Sequence, residues 1–166
     1  MKTQVFSLLV NNNTGLLSRV AGLFSRRGYN IDSITSGTTM NKSLTLITVV
    51  ATGDTQVLSQ IEKQLAKLED VVDIKILEDG KSVCRELIMV KIKANAAQRA
   101  EVISVADIFR AKIVDVETDS LMLEMTGNRS KVEAFLKLLS GYEILELART
   151  GITGLTRGSK DVVYLD

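Results

Sequence analysis

Residues 12–30 read NNTGLLSRVAGLFSRRGYN. Leu16, Val20, Leu23 and Phe24 recur at i, i+4, i+7 and i+8, which places them on one face of a helix. Arg26 and Arg27 fall in its last turn and Gly28 just beyond, a C-terminal stop. Upstream, Gln4–Val10 is a β-type run ended by Asn11, Asn12 and Asn13. The stretch is therefore a strand end, a tight turn, an amphipathic helix and a stop. The turn Asn12-Asn13-Thr14-Gly15 leaves backbone N–H groups unpaired at a helix start, which suits a carboxylate. Asn and Gly also serve turns simply by satisfying the backbone and permitting positive φ. On the turn alone, the structural reading is the default.

Working outward, Ile31–Thr39 and Leu44–Ala51 read as strands joined by a turn over 40–43. Asp54 caps a second helix whose apolar stripe is Leu58, Ile61, Leu65 and Leu68, and Val71–Leu77 is a further strand. The order is βαββαβ, closing near residue 77. After the polar link Glu78–Ser82 the order repeats. Glu86–Lys93 is a strand, and Val102, Val105, Ala106 and Phe109 mark a helix. Lys112–Glu117 and Leu121–Thr126 pair about a turn, a helix carries Val132, Phe135, Leu136 and Leu139, and Tyr142–Ala148 is the last strand. Thr52-Gly53-Asp54 and Thr126-Gly127-Asn128 occupy the same place in the two halves. The expected class is α+β, two tandem ferredoxin-like βαββαβ domains over 1–78 and 79–166, each with both helices on one sheet face. The other face of each sheet then calls for a partner. The tail from Thr150, with Gly151, Gly154 and Gly158, reads as flexible, and Val162–Leu165 as a short edge strand or docking segment.

Composition narrows the function. With 21 basic and 20 acidic residues the net charge is +1, and no basic stripe is present to track phosphates. Aromatic residues make up 4% of the chain, too few for base-stacking platforms. No nucleic-acid partner is expected. Histidine is absent, which removes histidine-based triads and the usual zinc sites. Cys84 is the only cysteine and reads as an inert thiol in a reducing cytoplasm. No apolar run has membrane-spanning length, and the N-terminus lacks the apolar stretch of a signal peptide. Among the carboxylates, Asp32, Asp115, Glu117, Asp119 and Glu124 are acid–base candidates by type only, and no spacing forces two of them into one pocket. Catalysis by this chain alone is not expected.

Two features favour the ligand reading of the turn. Asn30 follows the same helix, and Gly37 lies where a ligand could approach a strand backbone. An amino acid needs donors for its carboxylate and acceptors for its ammonium. Helix N–H groups supply the first, and asparagine or backbone carbonyls the second. Leu16, Leu17 and Ile31 could meet an aliphatic side chain.

Residues 10–37 closely resemble the ACT domain of the acetolactate (acetohydroxyacid) synthase small-subunit family. The resemblance is carried by Asn12, Gly15, Leu17, Arg19, Val20, Gly22, Leu23, Phe24, the block Arg26-Arg27-Gly28-Tyr29-Asn30-Ile31, and Ser33. It continues through Arg85-Glu86-Leu87, Val90-Lys91-Ile92, residues 108–116, Arg149-Thr150-Gly151-Ile152, Leu155 and Arg157-Gly158, so it covers nearly the whole chain. Thr35-Ser36-Gly37 and the turn after Thr39 depart from the family's pattern. The resemblance implies a non-catalytic regulatory subunit that activates a catalytic large subunit and confers feedback inhibition by valine or another branched-chain amino acid. It implies that thiamine diphosphate, FAD and Mg²⁺ belong to the large subunit and that this chain binds no cofactor. It implies a homodimer through ACT domains, with the effector held by Asn12, Asn13, Thr14, Gly15, Leu16, Leu17, Asn30, Ile31 and Gly37. The alternative is a free-standing ACT-type sensor of another enzyme or of transcription.

Overall fold

The alternation within one strand sets the first sheet. In the computed structural model, which describes residues 1–163, β1 (Lys2–Asn11) turns Phe6, Leu8 and Val10 to one face, all fully buried. It sends Ser7 and Leu9 to the other. Antiparallel partners flank it: β3 (Leu44–Gly53) in the register Val10↔Thr45, and β4 (Val71–Ile76) in the register Phe6↔Ile76. β2 (Ile31–Thr38) pairs with β3 and forms one edge, giving the order β2-β3-β1-β4. Helices α1 (Leu16–Arg26) and α2 (Thr55–Ala66) press Leu16, Val20, Leu23, Phe24, Leu58, Ile61 and Leu65 onto Phe6, Leu8, Ile47 and Val49. Fully burying each such side chain contributes ~1.5–3 kcal/mol. The helical stripes expected from spacing are thus the ones that form the core, except that Leu68 is only partly buried.

The second unit repeats the plan. Its sheet runs β6 (Lys112–Val116), β7 (Ser120–Gly127), β5 (Ser82–Lys93), β8 (Glu143–Arg149) in that order. Ile88, Val90, Ile92, Leu121, Leu123 and Met125 face α3 (Ala96–Ile108) and α4 (Arg129–Leu139), where Phe135 and Leu139 are fully buried. Phe109 packs edge-on against Phe135 at 5.3 Å. The fold is therefore two tandem βαββαβ units. On the face of this second sheet away from the helices, Met89, Met122 and Ala148 line an open hollow of about 470 Å³.

The tail departs from the sequence reading. Among the described residues, 152–163 group with the first unit, Met1–Cys84, and the second unit is Arg85–Gly151. A ninth strand, β9 (Thr153–Thr156), pairs with β5. Arg157 N–H donates to Lys81 O at 2.8 Å, and Thr35 Oγ1 donates to Ile152 O at 3.3 Å. The tail therefore lies on the first sheet's helix-free face, where a separate partner had been expected. Val162 and Val163 are not in a strand, and Tyr164 and Leu165 lie outside the described residues.

Gly154 is what permits this contact. A Cβ there would stand 2.6 Å from Val83 O and 2.8 Å from Cys84 Sγ. Gly154→Ala is expected to cost ~1–3 kcal/mol through overpacking and to speed hydrogen exchange across Thr153–Thr156. Gly141→Ala, with nothing within 4 Å, serves as the near-neutral control in the same thermal melts.

Candidate functional site

Three of the described helices begin in the same way. Asp54, Asn95 and Asn128 each stand in extended backbone and accept an N–H from the first turn, at 2.8, 2.9 and 2.9 Å. Helix α1 has no such side chain. It starts on Gly15 at φ 80°, ψ 5°, and no side chain caps it. A left-handed turn into a helix is a glycine conformation. Leu16 N–H is used on Asn13 O at 3.3 Å, so the first-turn N–H groups of Leu17 and Ser18 remain for an outside acceptor. With the partial positive charge of the helix start, these donors have the chemistry of a candidate anion seat.

The seat is held in shape by Asp70, at the end of the link between α2 and β4. Its Oδ1 accepts from Asn13 Nδ2 at 2.7 Å, and its Oδ2 accepts from Arg19 Nε at 2.8 Å and from a second guanidinium nitrogen at 2.6 Å. Its backbone carbonyl takes Asn11 N–H at 2.8 Å. Arg19 also donates to Thr14 O at 3.2 Å. The Asp70 carboxylate is nearly buried, at 12% side-chain exposure, so its negative charge requires these partners. The Asn13 amide chiefly, then the Arg19 hydrogen bonds, hold the Asp70 carboxyl below its ordinary range; burial pulls the other way, and the Arg19 charge adds a smaller lowering. On the far side, Asn12 N–H donates to Ser43 O at 2.8 Å and Asn12 Nδ2 to Lys42 O at 3.3 Å. A register shift between Leu9 and Val10 re-aims the strand as it enters the loop.

The structure separates the sequence-derived site residues into two groups. Asn12, Asn13, Thr14, Gly15 and Leu17 share the loop and the helix start, with Leu17 half-exposed. Leu16 is a core residue at 5% exposure and faces away from any ligand. Asn30 and Ile31 lie at the opposite end of the sheet. Ile31 is registered with Ala51, whereas Asn11 is registered with Leu44. The seven residue steps from Leu44 to Ala51 along β3 span about 23 Å. There Asn30 Nδ2 donates to Asp32 Oδ1 at 3.2 Å, and Thr52 Oγ1 donates to Asp32 Oδ2 at 2.6 Å. Gly37 is at the loop end but pairs with Leu46 on the helix-free face, so Ser36 and Thr38 are the β2 residues on the helix side. Thr45, beside Thr38 and Val10, has a buried hydroxyl without a hydrogen-bond partner among the described residues. Sequence reasoning missed Arg19 and Asp70 as the loop's supports because 51 residues separate them. Among the described residues no cluster of acidic or thiol side chains could hold a metal, and no helix is long and apolar enough to cross a membrane.

Comparison with known proteins supplies the family. A family model described as the AHAS small subunit-like ACT domain matches residues 6–73, and one described as the small subunit of acetolactate synthase matches residues 85–158. The chain is 48% identical over 159 residues to the probable acetolactate synthase small subunit of Methanothermobacter thermautotrophicus, covering 95% of each chain. It is 44% identical over 161 residues to the acetolactate synthase small subunit of Mycobacterium bovis, covering 97% of this chain and 96% of the relative. The crystal structure of the small subunit from Thermotoga maritima superposes with a TM-score of 0.86 at 38% identity, covering 96% of this chain and 99% of that one.

The Asp70 fork makes the loop sensitive to acid in a stated direction. A carboxyl with a lowered folded-state pKa adds stability above its unfolded value, and that stability is lost as pH falls through the folded value. Loop order should therefore hold at neutral pH and fail only below the ordinary value of 3.8. In Asp70→Asn, hydrogen exchange of the amides of residues 12–18 should quicken at neutral pH and lose this acid limb, while amides of β7 stay protected.

Proposed function

The chain belongs to the acetolactate synthase small-subunit family, and we propose that it activates a catalytic large subunit and makes it sensitive to a branched-chain amino acid, valine foremost. Acid–base, cofactor and carbon–carbon chemistry fall to the large subunit, for which thiamine diphosphate, FAD and Mg²⁺ are the expected cofactors. This chain holds the effector.

One observation carries the effector reading. The two halves of the expected site lie at opposite ends of one sheet, and the strand that spans that distance, β2, is an edge strand. An edge leaves a row of N–H and C=O groups open to a second chain. Two-fold antiparallel pairing of β2 with its copy reverses direction, so Asn30 of the partner subunit comes to the end that carries Thr38 and the Asn12–Gly15 loop. A contact of this kind is self-complementary and closes as a dimer. The effector carboxylate then sits on the N–H groups of Leu17 and Ser18. Its ammonium meets the amide oxygen of Asn30 of the partner subunit, and its aliphatic chain lies against Leu17 and Ile31 of the partner subunit. The ligand bridges two chains, so its binding energy stabilises one arrangement of the dimer. Coupling of ~1–3 kcal/mol, about 5–150-fold in affinity, is the usual scale for such regulation.

Calorimetry and complementation test this. The wild-type chain should bind valine saturably, and Asn12→Ala or Asn30→Ala alone should weaken binding by at least about tenfold. Mixed dimers of the two variants contain one intact and one doubly altered site. They should regain native affinity at one site per dimer, together with partial feedback inhibition in the enzyme reconstituted with its large subunit. Absence of valine binding by the wild type, or no recovery on mixing, overturns the composite site.

A further inference from the structure

On the helix-free face of the first sheet, the tail walls one side of a half-open cavity of about 290 Å³, close to the lower end of small-ligand pockets, ~300–1,000 Å³. Cross-strand register aligns Leu46, Leu9 and Asp73 in one row and Thr48, Ser7 and Lys75 in the next. Leu155 and Val163 of the tail form the opposite wall. The cavity therefore has an aliphatic body and a polar side along β4. At that side Lys75 Nζ and Asp73 Oδ2 stand 3.7 Å apart, a loose ion pair beyond hydrogen-bond length, with side chains 27% and 30% exposed. Ser7, 93% buried, also lines the cavity, and the hydroxyl of fully buried Thr48 beside it has no hydrogen-bond partner among the described residues.

We infer that this cavity is a second small-ligand site, built for a free aliphatic α-amino acid and separate from the loop before α1. A loose pair of opposite charges beside an apolar pocket matches an amino acid's chemistry. The carboxylate takes Lys75 and the ammonium takes Asp73, replacing one long contact with two charge-assisted hydrogen bonds. The aliphatic chain fills space between Leu9, Leu46 and Leu155. Both the sheet and the tail contribute walls, so occupancy fastens the tail to the sheet. No group from a second copy of the chain is required, which distinguishes this site from the composite one proposed above.

L-Leucine is the probe, titrated by equilibrium dialysis into the full-length chain carrying Asn12→Ala and Asn30→Ala, which disables the composite site. One saturable site per chain is expected, with slowed hydrogen exchange over Thr153–Thr156. Adding Lys75→Met should weaken binding by at least about tenfold. Leu155→Trp, at a position 66% exposed and therefore tolerant of size, should fill the cavity and abolish binding without lowering the melting temperature. The chain has no other tryptophan, so a shift in indole emission reports that cavity alone. No saturable binding in the disabled chain, or binding indifferent to both added substitutions, overturns the inference, whether or not the composite site binds valine.

Discussion

A helix that starts without its own cap must have its first turn held by something else, and in the first unit that holder is the carboxylate of Asp70. Its two oxygens are divided between Asn13, which precedes the left-handed Gly15, and Arg19, which follows it. Its backbone carbonyl fixes the end of β1 through Asn11. Donors that would otherwise be satisfied by an asparagine or aspartate at the helix start stay oriented and unused. Buried ion pairs contribute little net stability in general, because desolvation offsets attraction. What this pair contributes is geometry, since a nearly buried carboxylate with three donors tolerates few loop conformations.

The sheet beneath this loop has two faces that do different work. Phe6, Leu8 and Val10 seal one face against α1 and α2, and their spacing leaves no freedom of register. The other face carries Ser7, Leu9, Leu46 and Thr48, a mixture too polar for a packed core and too apolar for open water. The tail resolves that conflict by folding back, with Gly154 allowing backbone-to-backbone approach at Val83. Covering a mixed face with an irregular segment does not fill it as interdigitated side chains would, and a cavity remains.

Most of the fold was legible in the sequence because its elements obey local rules. Period-3.6 stripes such as Leu16-Val20-Leu23-Phe24 and Leu58-Ile61-Leu65, and caps such as Asp54 and Asn128, depend on neighbours within a few residues. The strand order follows from the βαββαβ pattern. The failures, Leu16 apart, concern separations that no local rule reaches. Gly154 reads as flexible until Val83 is placed beside it. Asp70 carries no local signal of its role until Arg19, 51 residues away, meets it. Asn30 and Gly15 are close in the sequence, yet a helix followed by a return strand carries them to opposite ends of the sheet. Leu16 and Leu17 are adjacent and equally apolar, and only the helical phase buries the first and exposes the second. The candidate residues could thus be named from the sequence, but their arrangement could not.

The repeat shows how the two units differ at the start of their first helices. Helices α1 and α3 hold equivalent places in the two units, each following the central strand that leads its sheet. At α3, Asn95 accepts Gln98 N–H at 2.9 Å, and Gln98 returns the contact by accepting Asn95 N–H at 3.1 Å. That reciprocal box occupies the donors an anion would need. At α1 the corresponding position is glycine, and the side chain that might have turned inward, Asn13, is instead drawn to Asp70. Restoring a cap at α1 would add stability of ~0.5–2 kcal/mol and would close the seat. Helix α1 forgoes that local stability, and its open first-turn donors are what the proposed effector site requires.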